Sequence, residues 1–280
     1  MTAIRGAAAA VTGAAGGIGR ALALALAARG CDLALADRDE TGLQTLAAEI
    51  AKTNACKVST HRVDVSEPQA VEDFAIAAIA AHPALNIVVN NAGVALMGTF
   101  AEIDQAQMDW LMNINFWGVV RSTRAFLPHL SRQREAHIAN LSSLFGIIAP
   151  PGQTAYAASK FAVRGFSESL RHELRRAGSP VRLSVVHPGG ISTNIARNSR
   201  TGTAVTDNAR RAQSIERFDA AARTTPKAAA QRIIEGIEKN RPRILIGNDA
   251  RLIDLLQRVR PARYWSVLAP WIENVGMTGK

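Results

Sequence analysis

Short apolar runs alternate along the whole chain with longer segments whose apolar residues recur every three or four positions. The runs at 7–13 (AAAAVTG), 31–37 (CDLALAD), 57–65 (KVSTHRVDV), 85–91 (LNIVVNN), 137–143 (HIANLSS), 181–187 (VRLSVVH) and 243–247 (RILIG) predict about seven strands. The first is weak on propensity, because alanine is a poor strand former. Helical spacing covers 17–29, 40–52, a segment opened by Ser66-Glu67-Pro68, a long segment from about Asp104 to Pro128, then 153–177, 226–240 and 251–260. Strands alternating with helices predict an α/β fold, a parallel sheet with helices on both faces. Residues 189–225 are polar and read as irregular, with 196–225 as the expected mobile loop. No repeat or linker divides the chain, so residues 1–247 are expected to form one domain, with 248–280 as a C-terminal helical extension packed on it.

Composition narrows the class. The 280 residues are 48% hydrophobic and 20% charged, which suits a globular chain with ample core. Cys31 and Cys56 lack zinc or redox spacing and read as idle thiols in a reducing compartment. The opening MTAIRGAAAAVTGAAGG imitates a signal peptide, but its apolar part is short and broken by glycine. No run approaches the ~18 apolar residues of a membrane span, so a cytoplasmic protein is expected. The six histidines form no spaced cluster, and no metal is expected.

The net charge of +10 is uneven: residues 197–280 carry 16 Lys and Arg against 8 Asp and Glu. Those basic residues are scattered among acids and apolar positions without a nucleic-acid-binding signature, so a solvated basic face is favoured over a nucleic-acid partner. The end of the chain combines Arg251, Arg258, Arg260 and Arg263 with Tyr264, Trp265 and Trp271. A membrane-touching surface element would have this composition. Packing on the same subunit or its neighbour, closing a substrate pocket, explains it equally and is preferred.

Two stretches carry chemistry. In VTGAAGGIGRALALALA, glycines 13, 17 and 19 stand between a strand and a helix, where they let backbone N–H groups approach a pyrophosphate at the helix N-terminus. Asp37 ends the next strand, where it can accept from both hydroxyls of an adenosine ribose and would repel a 2′-phosphate. A turn or capping carboxylate would look the same. Arg38 pulls the other way, since its guanidinium could pair with that phosphate, so NAD is favoured and NADP is the alternative. In TAYAASKFAVRGF, Tyr156 and Lys160 lie four apart on one helical face, a geometry in which an ammonium favours the phenolate and gives an acid/base near neutral pH. Two unrelated residues on a solvated helix would also be spaced this way.

With Thr12-Gly13-Ala14-Ala15-Gly16-Gly17-Ile18-Gly19 and Tyr156-Ala157-Ala158-Ser159-Lys160 together, the chain resembles the short-chain dehydrogenase/reductase family over roughly residues 5–247. Asn90-Asn91-Ala92-Gly93 resembles the family's NNAG, Asp64-Val65 its adenine contact, and Pro188-Gly189 with Thr193 its grip on the nicotinamide amide. The resemblance implies a single Rossmann-type doubly wound catalytic domain binding NAD(P). It implies cofactor contacts at Gly13, Gly17, Ile18, Gly19, Asp37, Arg38, Asp64, Val65, Asn91, Ala92, Gly93, Tyr156, Lys160, Pro188, Gly189 and Thr193. It places Ser143, 13 residues before Tyr156, as the catalytic serine, with Ser142 pointing to the opposite side of the strand. It also places Asn115 rather than Asn113 as the fourth member of a tetrad with Ser143, Tyr156 and Lys160.

The implied mechanism has phenolate Tyr156 take the alcohol proton as hydride leaves the substrate. Lys160 lowers the Tyr156 pKa and binds the nicotinamide ribose, Ser143 orients the substrate oxygen, and Asn115 holds a relay water. Ala157 and Ala158 are expected to be small to make room for cofactor and substrate. Leu144, Phe145, Ile147, Pro150, Pro151, Gln153 and Val94 to Met97, under a lid at 190–215, point to a hydrophobic secondary alcohol or ketone. The alternatives are an NADPH-linked ketone or 3-oxoacyl reductase and a non-catalytic dinucleotide sensor. A homodimer or homotetramer through helices 104–128 and 153–177 is the expected assembly.

Overall fold

The structure, a computed structural model, describes residues 1–205 and 207–274. Seven parallel strands form one sheet: β1 (Ala8–Thr12), β2 (Asp32–Asp37), β3 (Val58–Arg62), β4 (Leu85–Asn90), β6 (Ala136–Leu141), β7 (Val181–Pro188) and β9 (Arg243–Ile246). They lie in the order β3-β2-β1-β4-β6-β7-β9. Two short strands, β5 (Leu96–Met97) and β8 (Arg200–Thr201), pair in parallel outside this sheet. The alanine-rich β1 is fully buried at the centre. Helices cover both of its faces, and packing there overrides its weak propensity.

Each face has its own core. On one, Leu22 and Leu26 of α1 (Gly17–Ala27), Leu43, Leu46 and Ile50 of α2 (Glu40–Thr53) and Ile233 and Ile237 of α8 (Pro226–Glu238) pack on Ala9, Val11 and Leu33. On the other, Phe74 of α3 (Pro68–Ala81), Phe126 of α5 (Gly118–Leu130) and Leu174 of α6 (Thr154–Arg176) pack on Ala8, Val88 and Ile138. Phe74 and Phe126 meet edge to face at 5.4 Å. The wholly buried Phe126 contributes ~2–3 kcal/mol of burial. The chain winds outward from β1 in both directions, which opens a crevice at the C-terminal ends of β1 and β4, the ordinary ligand position of such sheets.

Three segments differ from the expectations. The long helix is α4 (Gln105–Met112), then a π turn over Asn113–Trp117, then α5. The polar stretch 189–225 contains α7 (Asn208–Ala221). Its sparse apolar positions hid the helical period. The segment before it is tied down: β8 pairs with β5, Gln107 donates to the Thr201 carbonyl at 2.9 Å, and the Arg200 guanidinium lies 3.9 Å from the Trp110 ring centroid.

After β9 the chain forms α9 (Asn248–Val259) and α10 (Tyr264–Asn274). Ala250, Ile253 and Leu268 pack on Leu144, Ile147 and Ile148. Asp254 pairs with Arg243 at 2.6 Å, and the Tyr264 hydroxyl accepts from the Ala149 N–H at 3.0 Å. The Trp271 side chain and residues 275–280, part of the tail discussed above, lie outside the described residues. Among the described residues no helix is long and apolar enough to cross a membrane.

Candidate active site

The loop between β1 and α1 is shaped by what a side chain would strike. A Cβ on Gly13 (φ +66°) would lie 2.8 Å from Ala92 Cα, and one on Gly19 would lie 2.0 Å from the Gly13 carbonyl oxygen. Gly17 (φ +53°) sits in the left-handed region, its Cβ position 3.3 Å from Thr193 Cγ2. Gly16 caps α1 without a side-chain hydrogen bond, which leaves the first-turn amides for an outside acceptor. Ile18 is half-buried against the core. Residues 13–19 thus form a cradle of bare backbone at a helix N-terminus, the shape and polarity that a pyrophosphate fits.

The rim of the crevice is fixed by polar ties between strands. The Thr12 hydroxyl accepts from the Asn91 and Ala92 N–H groups, both at 3.1 Å, and Asn91 Nδ2 donates to the carbonyls of Thr12 and Gly13 at 3.0 Å. The Asp37 carboxylate accepts from Ala15 N at 3.0 Å and Asp39 N at 3.1 Å, so it stands beside the glycine loop. Arg38 is exposed beside it. Asp64 is exposed and accepts from the Ser66 N–H and hydroxyl, and buried Val65 packs against Gly118 at the start of α5. At the far side, Gly189 N donates to Ile246 O at 2.9 Å, which ties the Pro188-Gly189 end of β7 to β9.

Ser143, Tyr156, Lys160 and Asn115 come together where β6 ends against α6. Ser143 opens a 3-10 turn over Leu144–Gly146, and its hydroxyl accepts from Phe145 N at 3.1 Å. Ser142 instead donates to the Lys160 carbonyl at 2.8 Å, locked on the other side of the backbone. Burial pushes the Tyr156 phenol above its ordinary range, and a hydrogen bond with Ser143 offsets part of that rise. Lys160 is buried; its Nζ donates to Leu141 O at 3.1 Å and lies 5.6 Å from the Tyr156 ring centroid. Desolvation lowers its pKa from 10.5 to about 8.

Asn115 lies in the π turn and is fully buried. Its side chain pairs with both backbone groups of Val94, accepting from N at 2.9 Å and donating to O at 3.0 Å, and donates to Ser159 Oγ at 3.1 Å. Both amide protons are therefore committed, and one Oδ1 lone pair remains. A Cβ on Gly93 would lie 3.2 Å from Asn115 Oδ1 and 3.4 Å from Lys160 Nζ, so the glycine is what lets these two approach. Asn113 is turned away, paired with Arg121 at 2.7 Å.

Several expectations need correction. Ala157 and Ala158 border an apolar cleft of about 530 Å³ with Ala149, Pro150, Pro151, Thr154, Phe161 and Trp265. Leu144 and Ile147 are buried under α9 and α10 rather than facing substrate. Phe145 stands edge-on to the Tyr156 ring at 6.2 Å. Thr12 and Ser159 carry roles that the motifs containing them do not show. Ser159 joins Asn115 to the Tyr156 carbonyl, its hydroxyl donating there at 2.7 Å. No local pattern marks either role. Among the described residues no group of three or more His, Cys, Asp or Glu could hold a metal ion.

Comparisons with known proteins agree with this geometry. The family model for short chain dehydrogenase matches residues 7–204. The protein named oxidoreductase SadH from Mycobacterium tuberculosis is 41% identical over 270 residues, covering 96% of both chains. A crystal structure of a short chain dehydrogenase/reductase from Burkholderia phymatum in complex with NAD superposes with a TM-score of 0.84 at 30% identity, over 93% of this chain and 96% of that one. An archaeal alcohol dehydrogenase from Thermococcus sibiricus with 5-hydroxy-NADP, 24% identical, shares the fold at a TM-score of 0.73 over 86% of this chain and 95% of that one. The glycine cradle, the sheet order and these matches lead to one conclusion: the chain belongs to the short-chain dehydrogenase/reductase family of oxidoreductases.

Proposed function

We propose that the chain is an NAD-dependent alcohol dehydrogenase or ketone reductase acting on a hydrophobic secondary alcohol or its ketone, with Tyr156 as the acid/base. The observation that carries this is the meeting of Ser143, Tyr156 and the buried Lys160 in one cluster beside the crevice. Gly13, Gly17, Ile18 and Gly19 would hold the cofactor pyrophosphate, Asp37 the adenosine ribose, Asp64 and Val65 the adenine, and Asn91 to Gly93 the central part. Pro188, Gly189 and Thr193 would hold the nicotinamide end, which supplies or accepts hydride when bound. Asp37 favours NAD, because its carboxylate would repel a 2′-phosphate, and the NAD in the Burkholderia phymatum neighbour supports that choice.

In alcohol oxidation Tyr156 takes the hydroxyl proton, and in reduction it returns it. The Ser143 hydroxyl orients the substrate oxygen and favours the phenolate. Lys160 adds positive charge at the ring and binds the nicotinamide ribose. Asn115 Oδ1, which keeps one lone pair and lies with Lys160 Nζ beside Gly93, would hold a relay water that serves Lys160. A homodimer through α5 and α6 goes with this proposal, since Trp117 and Phe161 are large apolar residues left exposed at 48% and 38%. Nicotinamide absorbance at neutral to alkaline pH, followed with NAD and NADP over alcohols from short diols to long-chain and steroid alcohols, tests the proposal. Turnover with a hydrophobic secondary alcohol and preference for NAD are expected. Binding of NADH without turnover of any alcohol would favour the sensor alternative.

A further inference from the structure

Asp249, in the first turn of α9, turns its carboxylate back toward the end of β7. Its Oδ2 accepts from Gly190 N at 2.9 Å. Two glycines make that approach feasible: a Cβ on Gly189 would lie 2.1 Å from Asp249 Oδ2, and one on Gly247 would lie 2.1 Å from Oδ1. A first-turn acid that only served the helix dipole would require neither.

Gly190 is also held from the opposite side. Its carbonyl accepts from Thr224 N at 3.2 Å, and Thr224 O accepts from Ser192 N at 2.9 Å. A Cβ on Gly190 would lie 2.8 Å from the carbonyl oxygen of Ala221, the last residue of α7. The segment 189–193 therefore runs between a carboxylate from the C-terminal extension and the junction of α7 with α8. At its far end Thr193 lies over Gly17 of the phosphate loop.

We propose that Asp249 is a positioning residue for the nicotinamide half of the cofactor. This rests on the assignment of residues 188–193 to the nicotinamide end made above. Gly189 and Gly190 are adjacent and conformationally permissive, so nothing intrinsic fixes their backbone. A charge-assisted bond from the carboxylate to Gly190 N supplies that constraint, and the ordering is completed before the cofactor arrives. The C-terminal extension is then part of the cofactor site rather than a cover over the sheet edge.

Two ligands separate this role from a purely structural one: NADH, and ADP-ribose, which lacks the nicotinamide. Affinities are measured by calorimetry on the full chain, with thermal melts in parallel, for wild type, Asp249→Ala and Asp249→Asn. Loss of the constraint in Asp249→Ala is expected to weaken NADH by about tenfold and to leave ADP-ribose within about twofold. Asp249→Asn, whose amide oxygen can still accept from Gly190 N, recovers most of the NADH affinity. Equal weakening of both ligands, or unchanged NADH binding in Asp249→Ala, overturns the proposal. If Asp249→Ala does not fold, Asp249→Asn decides it: a smaller loss of affinity confined to NADH supports it, and a loss shared equally by NADH and ADP-ribose, or no loss for either, contradicts it. A wild-type chain that binds ADP-ribose no more weakly than NADH contradicts the nicotinamide assignment itself, and the role of Asp249 falls with it.

Discussion

Ser142 and Ser143 are neighbours with opposite surroundings: the first hydroxyl is locked on the Lys160 carbonyl, the second lies at the Tyr156 phenol. Strand alternation foretold the division. Because the hydrogen bond with Ser143 offsets part of the rise in the Tyr156 pKa, Ser143→Ala should move the acid limb of the pH–rate profile for alcohol oxidation, where the phenolate forms, to higher pH. A limb that stays in place would separate Ser143 from the acid/base. Lys160 makes a different prediction. Its pKa falls from 10.5 to about 8 on folding, so the folded state disfavours the charged form. Below about 8 the penalty is fully present, and stability rises with pH as the unfolded lysine keeps its proton up to 10.5. The shift corresponds to ~3 kcal/mol, against ~1 kcal/mol for the lost bond to Leu141 O. Lys160→Met should therefore stabilise the cofactor-free chain by ~2 kcal/mol at neutral pH while abolishing turnover. Denaturant melts at neutral pH and near pH 10 check this: the advantage should shrink at the higher pH.

Elements differ in how far their contacts are local, and so in how readable they are. The glycine loop, the seven strands and the Tyr156–Lys160 spacing are legible because each is written in neighbouring residues. The π turn was not: helical spacing continues on both sides of it, and one extra residue between them shifts only the phase of the pattern. Yet that turn presents Asn115, which closes three hydrogen bonds between Val94 and Ser159. Asn115→Ala would leave the Val94 N–H and carbonyl without these partners, at ~2–4 kcal/mol in total. Its denaturation midpoint should fall accordingly, and an unchanged midpoint would mean that water replaces the side chain at no cost. Thr12, Ser159 and Asp249 were illegible for the same reason as each other. Thr12 and Asp249 bond to residues far along the chain, at Asn91 and Gly190, and Ser159 reaches Asn115 on another helix.

At the scale of the molecule, the sheet brings the glycine cradle, the Ser143 cluster and the end of β7 to one edge. The extension α9–α10 underpins that edge by packing on residues 144–148. The alternation of strands and helices sufficed to foresee the sheet, whereas the polar α7 and the packing beneath Leu144 and Ile147 depend on distant partners. Trp117 and Phe161 remain exposed, with Phe116 and Phe166 edge to face at 6.3 Å between the π turn and α6. If this surface joins two copies, Phe161→Glu should halve the particle mass in analytical ultracentrifugation, whereas a wild-type monomer would remove the interface. The central claim is that Tyr156 performs the proton transfer, its contact with the cofactor being secondary to that role. Steady-state kcat/KM for the best secondary alcohol and NADH affinity by fluorescence, both in wild type and Tyr156→Phe, test it most directly. The account predicts kcat/KM lower by ~10²–10⁴ with NADH affinity nearly unchanged. A variant that keeps most of its turnover would contradict it.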